Sequence, residues 1–219
     1  MKALTLILGG ARSGKSAFAQ GLASSGKRVL FVATAEALDE DMAARIREHQ
    51  RSRPPAWQTL EEPRELAAAL TSAVEGHDLV VIDCMTLWVS NLLLADTDKD
   101  RQIPPILETR PGSSPDQPTR ELDGVLRQAE VLVGAYRQGS ASWIVVSNEV
   151  GLGVVPPTPM GRRYRDALGR VNQTFAAAAS QAYLMVAGLA VDLTAAGAKP
   201  WQTLIGKPPP NRPPLNRPQ

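Results

Sequence analysis

Residues Gly9-Gly10-Ala11-Arg12-Ser13-Gly14-Lys15-Ser16 satisfy the spacing G-x-x-x-x-G-K-[S/T], and their flanks give the match a structural setting. The run Ala3–Leu8 before them is short, continuous and apolar, as a buried strand is. The run Lys15–Ser24 after them, rich in Ala, Gln, Phe and Leu, reads as a helix. Strand, glycine loop and helix in that order form a phosphate-binding loop. Glycine at 9, 10 and 14 lets the backbone approach phosphate oxygens with its N–H groups aimed at them, and the helix N-terminus adds a positive dipole end. Lys15 then reaches the β- and γ-phosphates, and Ser16 holds Mg²⁺. A glycine turn that binds nothing leaves the lysine, the serine and both flanks unexplained.

A chain that starts this way is committed to an α/β architecture, and the rest of the sequence agrees. Four short apolar runs read as buried parallel strands: Lys2–Leu8, Arg28–Ala33, Asp78–Ile82 and Trp143–Ser147. Helical patterns fall at Lys15–Ser24, Asp39–Gln50, Pro63–Val74, Arg120–Gln138 and Gly161–Ala182, and Tyr183–Ala187 and Val191–Leu193 read as final strands. This alternation predicts a P-loop NTPase-like fold, a mostly parallel central sheet flanked by helices.

The totals narrow the function classes. With 219 residues and 43% apolar content, residues 1–205 read as one globular domain. Residues 96–118, polar and rich in Pro, Asp and Ser, read as a surface insertion, and 206–219, with six prolines, as a flexible tail. A net charge of +2 gives no stripe for nucleic acid. The single cysteine, Cys84, excludes an internal disulfide and fits a reducing compartment. The apolar run before the glycine loop is too short for a signal peptide, and the stretch Leu79–Ala95 is interrupted by Asp83, Ser90 and Asn91. The expectation is a soluble, cytoplasmic protein with no membrane span.

In open α/β sheets ligands bind beyond the carboxyl ends of the strands, and here those ends are polar. The second strand ends in Ala33-Thr34-Ala35, the third in Asp83, and the fourth in Asn148-Glu149 followed by Gly151-Leu152-Gly153. Asp83, after Leu79-Val80-Val81-Ile82, has the form of a Walker-B acid able to hold Mg²⁺ directly or through water. Thr34 and Glu149 stand where polar residues occur either as ligands or because the chain surfaces. His49 follows Met42 and Ile46 on one face of the second helix, amid Arg45, Arg51 and Arg53. A histidine there can contact phosphate or attack it, or can simply suit a helix C-terminus, and spacing alone favours the last. His77 lies in a turn and reads as an exposed loop residue.

Several longer segments resemble one family. Gly9–Ser16, Val32-Ala33-Thr34, Asp41-Met42-Ala43-Ala44-Arg45-Ile46 with His49, Asp83–Leu93, Val146–Pro156, Arg163-Tyr164-Arg165-Asp166 and Gly169-Arg170-Val171-Asn172-Gln173 are similar, in this order, to the bifunctional adenosylcobinamide kinase / adenosylcobinamide-phosphate guanylyltransferase family. The likeness runs from residue 2 to about 190, outside the insertion; the P-loop is widely shared, whereas the stretches around Asn148 and Asn172 are far more specific. It implies that ATP or GTP phosphorylates adenosylcobinamide, and that adenosylcobinamide phosphate then accepts GMP from GTP. It also implies that His49 carries GMP covalently, with Lys15 as its catalytic companion, which reverses the preference from spacing. Nucleotide contacts implied by the family fall on Gly9–Ser16, Ala33, Thr34, Ala35, Gln50, Arg51, Ser52, Arg53, Glu61 and Asp83, with Ser16 and Asp83 holding Mg²⁺. Asp83 stands where related sequences can have glutamate, a mild departure. Family members form trimers, so a homotrimer is expected; the corrinoid is expected near Asn91, Glu149 and the turn after it only because these cluster at the crevice. Three rivals are a plain P-loop small-molecule kinase with a structural His49, a GTP-binding switch, and a non-catalytic scaffold using the proline tail, which leaves the P-loop unexplained. The switch lacks its Asp-x-x-Gly and Asn-Lys-x-Asp signatures here.

Overall fold

In a computed structural model, residues 1–26, 28–37, 40–100 and 117–205 are described. The strands are β1 (Leu4–Gly9), β2 (Val29–Ala33), β3 (Gln58–Glu61), β4 (Leu79–Asp83), β5 (Ser142–Val146), β6 (Gln181–Val186) and β7 (Leu189–Asp192). The helices are α1 (Lys15–Ala23), α2 (Glu40–Ser52), α3 (Leu66–Ala73), α4 (Met85–Asp100), α5 (Gln117–Gln138), α6 (Pro159–Ala178) and α7 (Trp201–Ile205). The strands form one sheet in the order β3-β2-β4-β5-β1-β6-β7. All pairings are parallel except β6 with β7. The expected α/β fold with a mostly parallel sheet flanked by helices is the fold found.

Alternation along the central strands divides the core in two. Leu4, Leu6, Leu30, Val32, Val80, Ile82, Trp143 and Val145 face one side and pack with Leu66 and Leu70 of α3, Met85 and Trp88 of α4, Ala129 and Leu132 of α5, and Leu168, Val171 and Phe175 of α6. Ile7, Phe31, Ala33, Val81, Ile144 and Val146 face the other, where Ala19 and Ala23 of α1 cover them. The layer on this second face is thin, and above its strand ends a cleft opens.

Several elements differ from the sequence expectations. β3 was not expected: Gln-Thr-Leu-Glu is a polar edge segment that pairs with β2 alone. α4 follows β4 after a single residue, so one apolar run hides a change of period; buried Met85, Trp88, Val89, Leu92 and Leu93 fall at helical spacing. α4 also runs to Asp100 and α5 begins at Gln117, so the ends of the expected 96–118 insertion are helical, while 101–116 lie outside the described residues. The tail 206–219 and the expected helix start at Asp39 lie outside them too. The alanine-rich end of α6 stops at Ala178, earlier than the expected Ala182. Ser180 N–H donates to the Leu4 carbonyl at 2.9 Å and Gln181 pairs with Thr5, so the sheet takes the chain that helix propensity would have extended. No helix among the described residues is long and apolar enough to cross a membrane.

Candidate active site

The phosphate loop joins β1 to α1, and two glycines are required by its geometry. Gly9 has φ 153°, and a Cβ there would stand 2.5 Å from the Met185 carbonyl oxygen of β6. Gly14 is left-handed at φ 94° and caps α1. Arg12 also has positive φ, 57°, a conformation uncommon outside glycine and consistent with a loop whose N–H groups curl inward. The β6–β7 turn braces the loop, Gly188 N–H donating to the Ser13 carbonyl at 3.1 Å.

Lys15 is 8% exposed, and its Nζ donates to the Gly10 carbonyl at 2.6 Å and to Ser13 Oγ at 3.5 Å. Burial lowers it from the ordinary lysine value, with Cys84 and Asp83 pulling it back up. Asp83 ends β4 directly across from it. Burial raises the Asp83 carboxyl, while a hydrogen bond with Ser16 and the proximity of His49, Lys15 and Arg53 oppose the shift. A shielded carboxylate and a hydroxyl bonded to it, beside a phosphate loop, suit a magnesium ion that takes most of its remaining ligands from phosphate and water. Among the described residues there is no cluster of three or more His, Cys, Asp or Glu side chains that would make a self-sufficient metal cage.

The cleft measures about 740 Å³. Of the residues expected at the site, Ala11, Arg12, Ser13, Gly14, Lys15, Ser16, Ala33, Ala35, His49, Arg53, Glu61 and Asp83 line it. His49 is exposed, on the last turn of α2, and Met42 and Ile46 from the same helix face join it at the wall. Arg53 lies over the Phe31 ring at 4.3 Å, and Trp57 stacks on the same ring at 6.2 Å between centroids. Its buried Nε makes no hydrogen bond within the described residues.

Other expected residues stand apart from the wall. Gly9 and Gly10 form the loop's entry. Gln50 donates to Glu61 at 2.6 Å, tying α2 to β3, while Arg51 is exposed and Ser52 closes α2. Thr34 is fully buried, and its hydroxyl donates to the Cys84 carbonyl at 2.7 Å and accepts from Cys84 N–H at 2.9 Å, so it staples β2 to the residue after Asp83. Asn91, expected near the corrinoid, is 4% exposed and spends its amide on the Thr34 and Pro63 carbonyls, so it braces that staple. Glu149 accepts from Gly151 N–H at 2.8 Å and shapes the turn after β5. The sequence reading did not expect Ala17, Phe31, Glu48, Cys84, Thr86, Leu87 and Val146 as lining residues, and it placed Asn148 at a strand end of the crevice without giving it a role. Position at a strand end or helix start was the available signal for Thr86 and Asn148.

Residues 5–193 match the family described as cobinamide kinase / cobinamide phosphate guanyltransferase. The chain belongs to that family. Among curated relatives of this cobinamide kinase / guanyltransferase family, the bifunctional adenosylcobalamin biosynthesis protein CobP of Pseudomonas aeruginosa is 43% identical over 189 residues, 86% of this chain and 95% of that protein. The bifunctional adenosylcobalamin biosynthesis protein CobU of Salmonella typhimurium is 36% identical over 193 residues, 87% of this chain and 99% of that protein. The Escherichia coli CobU is 35% identical over the same length. As a family member the chain is an enzyme with two activities, cobinamide kinase and cobinamide phosphate guanylyltransferase.

Proposed function

We propose that the Lys15–Asp83–His49 cleft serves both activities in turn, on one phosphate loop, with adenosylcobinamide as the first acceptor and its phosphate as the second. In the kinase step the γ-phosphoryl group of ATP or GTP passes to the hydroxyl of adenosylcobinamide. In the guanylyl step a ring nitrogen of His49 bonds to the α-phosphorus of GTP. The bond to the bridging oxygen breaks, and pyrophosphate leaves with that electron pair. Adenosylcobinamide phosphate then displaces His49 from the GMP, giving adenosylcobinamide-GDP. Splitting one transfer into two displacements replaces a difficult encounter by two easier ones. The observation that supports this reading is that a lysine of the phosphate loop and a histidine of α2 line the same cleft.

Lys15 and the loop amides bind and orient the phosphates, and Lys15 places positive charge where negative charge grows. Ser16 and Asp83 would hold Mg²⁺, which when bound supplies charge neutralisation to the phosphates. We further read residues 1–205 as the catalytic unit, working as a homotrimer in the cytoplasm.

The deciding experiment incubates the protein with Mg²⁺ and GTP labelled at the α- or the γ-phosphorus, without acceptor. Acid-labile, base-stable α-label on the denatured protein, lost in His49→Ala, is the expected result. Absence of α-label beside intact γ-transfer to adenosylcobinamide would leave a plain kinase. His49→Ala retains most kinase turnover, whereas Lys15→Ala loses about 10²-fold or more in both reactions. An unchanged guanylylation rate in Lys15→Ala contradicts the shared site.

A further inference from the structure

Buried polar side chains converge on one peptide that the two activities have not yet used. The N–H of Asn148 donates to Oγ1 of Thr86 at 2.8 Å, and its carbonyl accepts from Nδ2 of Asn172 at 3.0 Å. Oδ1 of Asn172 in turn accepts from the Ser147 hydroxyl at 2.6 Å. Ser147 is fully buried, and Asn172 and Thr86 are nearly so. Polar groups are costly to bury unless bonded, and here the bonds all fix the backbone beneath a single side chain. Asn148 itself is one of the residues that line the cleft.

Sheet order says which part of the cleft it faces. β5 lies directly between β1, which feeds the phosphate loop, and β4, which ends in Asp83. Val146 stands opposite both Ile7 and Asp83. Beyond it, Ser147 N–H donates to the Ile7 carbonyl at 2.9 Å and Glu149 N–H to the Gly9 carbonyl at 3.1 Å. Asn148 therefore sits between the mouth of the phosphate loop and the Asp83–Cys84 corner, with strands about 4.8 Å away on either side.

We propose that Asn148 is a catalytic residue of the kinase step, its Nδ2 donating a hydrogen bond to a non-bridging oxygen of the γ-phosphoryl group. This rests on the kinase half of the proposed function. In that step the acceptor hydroxyl oxygen bonds to the γ-phosphorus while the bond to the β,γ-bridging oxygen breaks. The nucleoside diphosphate leaves with that pair, and the hydroxyl proton passes to a phosphate oxygen. Charge spreads over the three equatorial oxygens during transfer. A donor fixed in advance meets that charge without reorganising, and a neutral carboxamide does so without the repulsion a carboxylate would add. Lys15, a point charge, covers the β/γ side, and Asn148 covers the side toward Asp83. Thr86, Ser147 and Asn172 are positioning residues that act through it.

The test uses the full chain carrying Asn148→Ala or Asn148→Asp. Three quantities are measured: affinity for the Mg²⁺ nucleoside diphosphate, affinity for the same diphosphate with aluminium fluoride as a mimic of the group in flight, and kinase kcat. The expected result is a loss of about 10²-fold in kcat and in affinity for the fluoride complex, with diphosphate affinity unchanged within about threefold. Wild-type-like affinity for the fluoride complex, or equal weakening of both ligands, overturns the assignment. If the alanine variant does not fold, the isosteric aspartate, which leaves every backbone bond in place, carries the comparison. The two readings fail separately. A wild type that binds the fluoride complex but does not phosphorylate adenosylcobinamide refutes the proposed substrate, while the contact is still judged by the binding split.

Discussion

Burial raises the Asp83 carboxyl above the ordinary carboxylate range, and Ser16, His49, Lys15 and Arg53 reverse this only in part. Its folded-state pKa therefore exceeds the unfolded one. Between the two, the folded protein binds more protons, so stability falls as pH rises through that window, and the cost is fully present above it. Asp83→Asn keeps the size of the side chain and removes the charge. In metal-free, nucleotide-free protein at neutral pH it should raise Tm, by about 2–4 °C for each kcal/mol recovered, while turnover with Mg²⁺ nucleotide collapses. Calorimetry beside an activity assay checks both, and a lowered Tm contradicts the burial argument. Tyr164 gives a second pH signature. Burial pushes its phenol up to about 12, with its hydroxyl donating to the Thr86 carbonyl at 3.4 Å. The unfolded chain loses that proton near 10, so stability drops as pH climbs from about 10 to 12. Tyr164→Phe should flatten the fall in Tm over this range, and an unaltered slope would assign the alkaline transition to other groups.

Among the helices, α2 carries His49, the proposed GMP acceptor, with little packing beneath it. Its described side chains are exposed or half-buried, in contrast to α6, which buries Ala167, Leu168, Val171, Asn172 and Phe175. Local opening follows such differences. The amides of α2 should exchange hydrogen well before those of α6, and GTP with Mg²⁺ should slow α2 selectively. Equal exchange in the two helices would mean that α2 is rigid before nucleotide arrives. Legibility in the sequence varied for related reasons. The strand, loop and α1 were readable because glycine spacing and an apolar run each carry a distinct signal. α4 was not, because its apolar residues continue those of β4 and blur period two into period 3.6. β3 was not, because Gln58, Thr59 and Glu61 on an edge lack the apolar signature of the inner strands. In the site, Lys15, Asp83 and the loop could be placed from strand ends alone, whereas His49 needed the family resemblance. The structural bonds of Thr34, to the residue after β4, and of Asn91, from α4 to the Thr34 and Pro63 carbonyls, were not legible, because a polar residue bonded inside the fold has the same composition as one facing a ligand.

For the whole molecule, the proposed homotrimer predicts a solution mass about three times the 23.5 kDa chain by light scattering, and a monomer mass at working concentration contradicts it. The sheet itself sets a schedule. β1 is first in the chain yet central, and its neighbours β5 and β6 come much later: Ala3 is bonded to Ser142, and Leu4 to Ser180. Contacts of such sequence separation form late and slowly. A ribosome thus makes the phosphate loop long before it makes β5 and β6, the strands that brace it. Nucleotide binding becomes a certificate that translation has passed β6, and fragments ending before β6 should not retain GTP.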